Sequence, residues 1–382
     1  MENEKLLCRN EVSHDESQEI EKANFSALTL MLAQECNMRC SYCYEEGGEY
    51  NNKGIMTENV AFQAIDYLVK NSTDELLHIA FLGGEPLLNF PLLKKVVEYC
   101  KQISADTGKK FSYTITTNGT LITDNIEKYL TENKIVCQIS LDGTKEKNDM
   151  NRFFRNKKGS YDVIVEKTKS MRHMNLVTAR ATVTPDNSDY KEIFNHLNEL
   201  EFRAIPIAIA QNMVDDEQFD KILSEYINYI FYFEELILTK QYAKAKKMTD
   251  LVNALEKIEF GNVRNNGCGA GRTMFAVDID GTLYPCHRFV GERKFALGNI
   301  WTGSDNSKFL KMINVRNRDK CSKCWAQNLC LGCCPHENYT NTNNINLASE
   351  RSCRMAKTIY EKLISVYIKM SDEDKKMMWP ED

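Results

Sequence analysis

The residues best suited to chemistry lie in one short stretch, which reads QECNMRCSYCY from Gln34 to Tyr44. Three cysteines, Cys36, Cys40 and Cys43, stand here in CxxxCxxC spacing. A cubane iron–sulfur cluster takes one thiolate per iron, and no fourth cysteine lies nearby, so one iron would have no protein ligand. Such an iron can bind a small molecule, which favours a catalytic site.

Two other interpretations of these cysteines are open, a zinc loop or three thiols of the hydrophobic core. Zinc loops usually combine one CxxC pair with a second pair or with histidines, and neither follows before Cys100. Core thiols are not expected to alternate with polar residues such as Asn37, Arg39 and Ser41. The spacing therefore favours an iron–sulfur cluster.

Length and composition limit the class of protein. The chain has 382 residues, enough for one large domain and a smaller one. Charged residues make up 27% and the net charge is −5, so no basic surface suggests nucleic acid. Residues 1–24 form a polar N-terminal extension without the apolar segment of a signal peptide, and no window approaches the ~20 apolar residues of a membrane span. We predict a soluble, cytoplasmic protein with no nucleic-acid or membrane partner.

The fourteen cysteines are distributed unevenly along the chain. The cytosol keeps thiols reduced, so a disulfide framework is not expected. Cys8, Cys100 and Cys137 stand alone, and the last two fall in apolar patterns typical of core thiols. The C-terminal third is dense in cysteine, with Cys268, Cys286, Cys321, Cys324, Cys330, Cys333, Cys334 and Cys353.

Strands and helices alternate through the first half of the chain. Apolar runs predict strands at 27–33, 76–82, 111–117, 135–141, 177–183 and 205–210. Amphipathic patterns predict helices at 57–71, 91–105, 123–133, 160–174 and 189–200, with a long polar connection over 144–159. Six β–α units in succession indicate a parallel sheet covered by helices, and right-handed crossovers would curl it toward a barrel. We predict the α/β class, with a partial (β/α)6 barrel over 25–215.

Four polar motifs each follow one of the predicted strands. They are the cysteine loop, Gly83-Gly84-Glu85-Pro86, Asn118-Gly119 and Asp142-Gly143. The C-terminal ends of parallel strands meet at one rim, where the active sites of such folds assemble. Each glycine alone is explained as a turn residue, but four motifs at one rim indicate a shared site.

The C-terminal third carries a second metal-binding pattern. Two apolar runs flank Asp280-Gly281, a strong hairpin signal that would bring Cys268 and Cys286 together. The spacing CxxCx5Cx3C follows from Cys321 to Cys334. Zinc is an alternative to iron here, which would make the chain a zinc-stabilised binding module without activity. We predict a small α+β iron–sulfur domain over 263–382. A helical junction over 216–262 would cover either the open sheet edge or the barrel mouth.

The CxxxCxxC loop, with Tyr42 before its last cysteine, and the GGE turn resemble the radical S-adenosylmethionine (SAM) enzymes. The resemblance implies a 4Fe-4S cluster on Cys36, Cys40 and Cys43 whose open iron chelates SAM and whose electron cleaves it to a 5′-deoxyadenosyl radical. The implied SAM contacts are Tyr42 at the adenine, Gly83, Gly84 and Glu85 at the amino group, Ser140 at the ribose, and Arg152 at the carboxylate. A guanidinium suits a planar carboxylate, although Arg152 could equally be a solvated loop charge.

The order of the C-terminal cysteines resembles the SPASM extension of radical SAM peptide modifiers. This resemblance implies two auxiliary 4Fe-4S clusters and three clusters in all. The first auxiliary cluster would be held by Cys268, Cys286 and Cys334, and the second by Cys321, Cys324, Cys330 and Cys353. Two positions differ from the sulfatase-maturating members. Met274 stands where those members have a further cysteine, and His287 where they have an aspartate that is thought to take the substrate proton.

These two differences favour the branch that modifies ribosomally made peptides, such as the thioether-forming maturases. We expect a precursor peptide as substrate, a cysteine thioether crosslink as product, and flavodoxin or ferredoxin as electron donor. The segment before the first strand is too short for a recognition domain, so leader recognition would use another surface or a separate protein. His287 is a candidate catalytic residue, although an ordinary surface histidine is an equal explanation. Sulfatase-maturase-like protein modification and carbon–carbon peptide cyclisation are the alternatives.

Overall fold

The computed structural model describes residues 23–43, 47–261 and 267–380. The N-terminal extension predicted over 1–24, with Cys8, lies outside these ranges apart from its last two residues. No helix within the described ranges is long and apolar enough to cross a membrane.

The strands and helices follow the predicted alternation. The strands are β1 (Ala27–Gln34), β2 (Gly54–Ile55), β3 (Leu76–Gly83), β4 (Lys110–Thr117), β5 (Val136–Ser140), β6 (Val177–Val183), β7 (Ile207–Ile209), β8 (Met274–Val277), β9 (Thr282–Tyr284), β10 (Gly298–Asn299) and β11 (Gly303–Ser304). The helices of the first part are α1 (Glu58–Lys70), α2 (Phe90–Thr107), α3 (Asp124–Glu132), α4 (Lys145–Asn151), α5 (Tyr161–Lys167), α6 (Lys169–His173) and α7 (Tyr190–Glu199). Those of the second part are α8 (Asp216–Leu238), α9 (Tyr242–Ala245), α10 (Thr249–Glu259), α11 (Ser307–Ile313), α12 (Asp319–Ser322), α13 (Gln327–Cys330), α14 (Pro335–Thr342), α15 (Glu350–Lys369) and α16 (Asp372–Met378).

The six predicted strands form an open parallel sheet. They pair in the order β1, β3, β4, β5, β6, β7, and every pair is parallel. Among the described strands β7 pairs with β6 alone, so the sheet does not close. The prediction of an α/β fold with a partial barrel is therefore confirmed.

The C-terminal hairpin extends this same sheet. Strand β8 pairs in parallel with β1, with Leu28 opposite Phe275, and β9, β10 and β11 continue outward as antiparallel strands. The sequence predicted the hairpin at Asp280-Gly281. It gave no sign that the hairpin would attach to the first strand of the chain.

The two faces of the parallel sheet differ in polarity. Alternate side chains of a strand point to opposite faces. The face against the helices is apolar and fully buried, with Leu28, Leu30, Leu77, Ile79, Ile139 and Ala179. The opposite face lines the barrel interior with partly buried polar side chains, including Thr29, His78, Thr116, Gln138, Ser140 and Thr182. The interior face of the sheet is therefore largely polar.

Helix starts agree with the capping signals in the sequence. The side chains of Thr57, Thr123 and Asp189 accept hydrogen bonds from backbone N–H groups in the first turns of α1, α3 and α7. The polar connection 144–159 contains α4, which its composition did not reveal. The helix predicted over 160–174 is divided into α5 and α6 at Thr168.

The junction covers the open edge of the sheet rather than the barrel mouth alone. The N–H of Ile205 donates to the carbonyl of Lys247 at 2.8 Å, and the N–H of Ile207 on β7 donates to the carboxylate of Asp250 at 2.6 Å. Helix α8 also contacts the C-terminal part through the 2.5 Å pair of Asp220 and Arg354 on α15. The contacts of Ile205 and Ile207 give hydrogen-bond acceptors to backbone N–H groups at the edge strand β7, which an open sheet edge would otherwise leave unpaired.

Candidate active site

The cysteine loop is held by a segment far along the chain. After β1 ends, the N–H groups of Arg39 and Ser41 donate to the carbonyls of Phe153 and Asn151, at 2.8 and 2.9 Å. The hydroxyl of Ser41 also donates to the side-chain carbonyl of Asn151 at 2.5 Å. This antiparallel contact places the segment after α4, which includes Arg152, directly beside the cysteines.

The three thiols of the loop have the chemistry of cluster ligands. All three are half-buried. Burial raises the pKa of Cys36 to about 11 and raises the pKa of Cys40, with each neighbouring thiol adding to the effect. Thiolates this close repel one another, which is why a neighbouring thiol raises the pKa of Cys36 and of Cys40. A bound cation would remove that repulsion, and metals bind cysteine as the thiolate. The backbone N–H of Met38 and the side-chain amide of Asn118 lie 3.4 and 3.7 Å from the Cys36 sulfur, and such hydrogen bonds are typical around iron–sulfur clusters.

The turn after β3 needs glycine because three backbone segments meet there. A Cβ on Gly83, whose φ is +139°, would lie 2.2 Å from the Ala33 carbonyl oxygen. A Cβ on Gly48 would lie 2.4 Å from the Cα of Gly84. The N–H groups of Gly84 and Glu85 donate to the carbonyls of Ala33 and Glu35. Because these N–H groups are already bonded, the turn would bind the amino group of a ligand through its backbone carbonyl oxygens.

The Glu85 side chain braces this turn against the next strand. Its carboxylate accepts hydrogen bonds from the Leu87 N–H, the Thr117 hydroxyl and the Asn118 N–H at 3.0, 2.7 and 2.8 Å. Burial raises the pKa of Glu85, and the bonds from Thr117 and Asn118 oppose that rise. The sequence predicted the backbone of Glu85 as a ligand contact but did not predict this bracing role.

Arg152, Tyr42 and Asp142 form a chain of hydrogen bonds at the rim. The guanidinium Nη1 donates to the Tyr42 hydroxyl at 2.7 Å, and that hydroxyl donates to the Asp142 carboxylate at 2.6 Å. Burial raises the pKa of Asp142, and the Arg152 charge opposes the rise. Arg152 is only 6% exposed, so the interpretation as a solvated loop charge is wrong. Its Nε has no hydrogen-bond partner among the described residues.

The other predicted SAM contacts lie near this chain. Ser140 is at the end of β5, half-buried, with its side chain on the interior face and Arg180 opposite it on β6. Tyr42 is half-buried as a residue, and its hydroxyl is bonded to Arg152 and Asp142. The structure therefore brings the four rim motifs together with Arg152, and Ser140 stands two residues before Asp142. The link from Arg152 through Tyr42 to Asp142 could not be recognised from the sequence.

The C-terminal cysteines fall into two groups, and the ligand sets that the resemblance implied for them stay predictions. In the first, burial raises the pKa of Cys286 to about 12, and the neighbouring thiols of Cys334 and Cys268 add to the rise. In the second, the pKa of Cys353 is raised by burial and by the thiols of Cys330, Cys321 and Cys324. The second group lines a cavity of ≈ 550 Å³. A cavity lined by several cysteine thiols can hold an iron–sulfur cluster, which four thiolates bind.

Cys333 joins the second group, which the spacing had not indicated. Its sulfur lies 3.5 Å from the sulfur of Cys330. The hydrogen bond between them lowers the pKa of Cys330 to about 6.

His287 and Met274 lie beside the first group. Burial, together with the charges of Arg288 and Arg180, lowers the pKa of His287 to about 4, so the imidazole is neutral at pH 7. Met274 begins β8 with a half-buried side chain, and its N–H donates to the Gly269 carbonyl just after Cys268. In residues 23–43, 47–261 and 267–380, no three His, Cys, Asp or Glu side chains are close enough to share a single metal ion.

Family comparisons agree with this geometry. The radical SAM superfamily model matches residues 31–200, and the SPASM iron–sulfur cluster-binding domain model matches residues 268–325. The chain is a radical SAM enzyme with a SPASM domain. Radical SAM enzymes use SAM and a 4Fe-4S cluster, and SPASM domains bind auxiliary iron–sulfur clusters. The interpretation as an inactive zinc-stabilised module is therefore wrong. The domain boundaries predicted above enclose both matches and stay predictions.

Relatives of this radical SAM enzyme include a sulfatase-maturating enzyme and a cyclopropyl synthase. The cysteine-type anaerobic sulfatase-maturating enzyme of Clostridium novyi is 26% identical over 373 residues, which cover 90% of this chain and 96% of the relative. The radical SAM cyclopropyl synthase TigE of Paramaledivibacter caminithermalis is 22% identical over 358 residues, 88% of this chain and 74% of the relative.

Solved structures share the fold. Native anSMEcpe with bound AdoMet and Cp18Cys peptide superposes with a TM-score of 0.76 at 22% identity, covering 91% of this chain and 100% of that one. Streptococcus suis SuiB bound to precursor peptide SuiA superposes with a TM-score of 0.54 at 16% identity, covering 87% and 76%. At these identities the likeness concerns the fold alone.

Proposed function

We propose that this enzyme modifies a ribosomally made precursor peptide and installs a cysteine thioether crosslink. The observation that carries the proposal is the three-thiol group of Cys268, Cys286 and Cys334, beside which Met274 stands in place of a cysteine. A thioether is a weak ligand compared with a thiolate. One iron of the auxiliary cluster would then be free to hold a substrate thiolate and to accept an electron.

The roles of the SAM-site residues follow from the same proposal. Cys36, Cys40 and Cys43 hold the SAM-binding cluster, and the carbonyls of the glycine turn receive the SAM amino group. The Nε side of Arg152 pairs with the SAM carboxylate, because its Nη1 is already bonded to Tyr42. The Tyr42 ring lies against the adenine, and Ser140 contacts the ribose.

The reaction balances with these partners. The SAM site would supply a radical that removes one hydrogen atom from a peptide carbon, and the cysteine thiol would lose its proton to a base. Closure of the carbon–sulfur bond would release one electron, for which a cluster held by Cys268, Cys286 and Cys334 would be the acceptor. His287, which directly follows Cys286, is the candidate proton acceptor by its position.

The remaining components are proposals of the same kind. We expect three 4Fe-4S clusters, a flavodoxin or ferredoxin that supplies the initiating electron, and a cytoplasmic location, where thiols stay reduced. Leader recognition is assigned to a surface of this chain or to a separate protein. The superposition on SuiB, which was solved with a precursor peptide, supports a peptide substrate.

Spectroscopy tests the thioether proposal. The probe is a peptide from a short, cysteine-rich reading frame next to the gene, with the same peptide carrying serine for cysteine as the control. The cysteine peptide should perturb the resonance of one auxiliary cluster, and the serine peptide should not. Identical spectra with the two peptides would contradict the open site and the thioether assignment.

Sulfatase-type maturation is a second candidate, favoured by the full-length similarity to the Clostridium novyi enzyme. Mass spectrometry distinguishes the outcomes. A thioether product has lost two hydrogens and the free thiol, and its fragments are crosslinked. A modified cysteine in a product without a crosslink would favour maturase chemistry, and a crosslink with the thiol retained would favour a carbon–carbon cyclase.

A further inference from the structure

Cys333 is the C-terminal cysteine that the two proposed ligand sets leave unused. Its side chain nevertheless lines the ≈ 550 Å³ cavity of the second group, together with Cys321, Cys324, Cys330 and Cys353. Its sulfur is 3.5 Å from the Cys330 sulfur and 3.7 Å from the Ser352 carbonyl oxygen. Five sulfurs thus border a cavity in which a cubane needs four.

An unusual turn holds Cys333 in this position. Leu331, Gly332 and Cys333 have successive positive φ angles of 54°, 81° and 63°, a conformation that residues with a Cβ rarely adopt. The carbonyl of Gly332 accepts hydrogen bonds from the buried side chains of Arg318 and Asn338, at 2.8 and 3.0 Å. A Cβ on Gly332 would lie 2.5 Å from the Arg318 Nη1. The surroundings therefore impose the turn, and such imposed strain is found most often at functional sites.

Cys333 is better suited to donate a hydrogen bond than to bind iron. Four other thiolates already suffice for one cubane, and the adjacent Cys334 belongs to the other group. The single S–H of Cys333 has two acceptors within reach, the Ser352 carbonyl oxygen at 3.7 Å and the Cys330 sulfur at 3.5 Å. When Cys330 binds iron as a thiolate, it can only accept, so the S–H turns from the carbonyl to the shorter, charge-assisted contact.

We propose that Cys333 is a positioning residue that donates an S–H hydrogen bond to the Cys330 sulfur and raises the reduction potential of the second auxiliary cluster. The inference rests on the ligand set proposed above for that cluster. Reduction adds negative charge to the cluster and its thiolates, so a hydrogen-bond donor stabilises the reduced form more than the oxidised form. Hydrogen bonds to the sulfurs are one of the factors that set such potentials.

The test is a redox titration of the anaerobically loaded enzyme, followed by electron paramagnetic resonance. Cys333→Ala should shift the reduction equilibrium of one auxiliary cluster roughly tenfold toward the oxidised form, which is about 59 mV for a one-electron couple. Cys333→Ser keeps a donor and should shift it less. Cys137→Ala is the matched control, because it removes a buried thiol from the core of the sheet.

Several results would overturn the proposal, and they differ in meaning. An unchanged potential in Cys333→Ala would show that the contact has no effect on the cluster. Loss of about one third of the iron in that variant would make Cys333 a ligand instead. An equal shift in Cys137→Ala would show a nonspecific effect. A wild-type enzyme that binds only about eight irons would instead contradict the proposed ligand set itself.

Discussion

Replacing Arg152 by alanine should weaken SAM binding by about ten- to a hundredfold. A hydrogen-bonded contact to a charged group contributes roughly 1.5–3 kcal/mol, and the proposed contact joins a guanidinium to a carboxylate. The side chain is 6% exposed and has an Nε without a partner among the described residues. Little solvent is therefore present to replace the lost contact.

The same substitution has a second effect that must be separated from the first. Arg152 also bonds the Tyr42 hydroxyl, which bonds the buried Asp142, so its loss disturbs the rim as well. Tyr42→Phe breaks this chain but keeps the guanidinium and the aromatic ring. We expect it to lower the thermal midpoint while weakening SAM binding much less than Arg152→Ala does.

Calorimetric titration of SAM into anaerobically reconstituted protein, at matched iron content, measures the affinities. Lys158→Ala is the charge control, because it removes a positive charge from an exposed position in the same segment. Arg152→Ala with an affinity indistinguishable from that of Lys158→Ala would refute the direct contact. Equal losses in Arg152→Ala and Tyr42→Phe would show that the effect arises from loop geometry instead.

Three further predictions concern the clusters and the glycine turn. Reconstituted protein should hold roughly twelve irons, from three cubanes, and about four irons with bound zinc would contradict the auxiliary clusters. Replacing Cys36, Cys40 and Cys43 together by alanine should remove about a third of the iron and all formation of 5′-deoxyadenosine, and continued SAM cleavage would refute the site. Glu85→Gln turns an amide N–H₂ toward donors such as the Asn118 N–H. It should lower the free energy of unfolding by about 1–3 kcal/mol, measured by urea unfolding of the cluster-free protein, and an unchanged midpoint would contradict the bracing role.

Much of the barrel could be predicted because its signals are local. Each interior strand is a short apolar run, and side chains such as Thr57 and Asp189 mark helix starts through their own hydrogen bonds. The pairing of β8 with β1 could not be predicted, because it joins Leu28 to Phe275 and no local pattern encodes a partner so distant. Helix α4 was missed because its polar surface resembles a loop.

The site was predictable to the extent that its chemistry lies in residue types and order. The assignment of the C-terminal cysteines to two clusters rests on spacing and resemblance and stays a prediction. The burial of Arg152 could not be predicted, because its segment also carries exposed charges such as Arg155. Arg152 is buried where that segment contacts the cysteine loop. The contact of Cys333 with Cys330 also depends on three backbone conformations that the sequence alone does not specify.

The attachment of β8 to β1 joins the parallel sheet of the first half and the C-terminal hairpin into one continuous sheet. The strand that leads into the SAM-site cysteines is also the strand to which the auxiliary-cluster domain is hydrogen-bonded, from Ala27 to Leu30. A shared ladder of backbone hydrogen bonds resists hinge motion between the strand that leads into the cysteine loop and the hairpin that follows Cys268. The C-terminal domain is also not a detachable module, because its removal would expose β1 as an unpaired edge prone to aggregation.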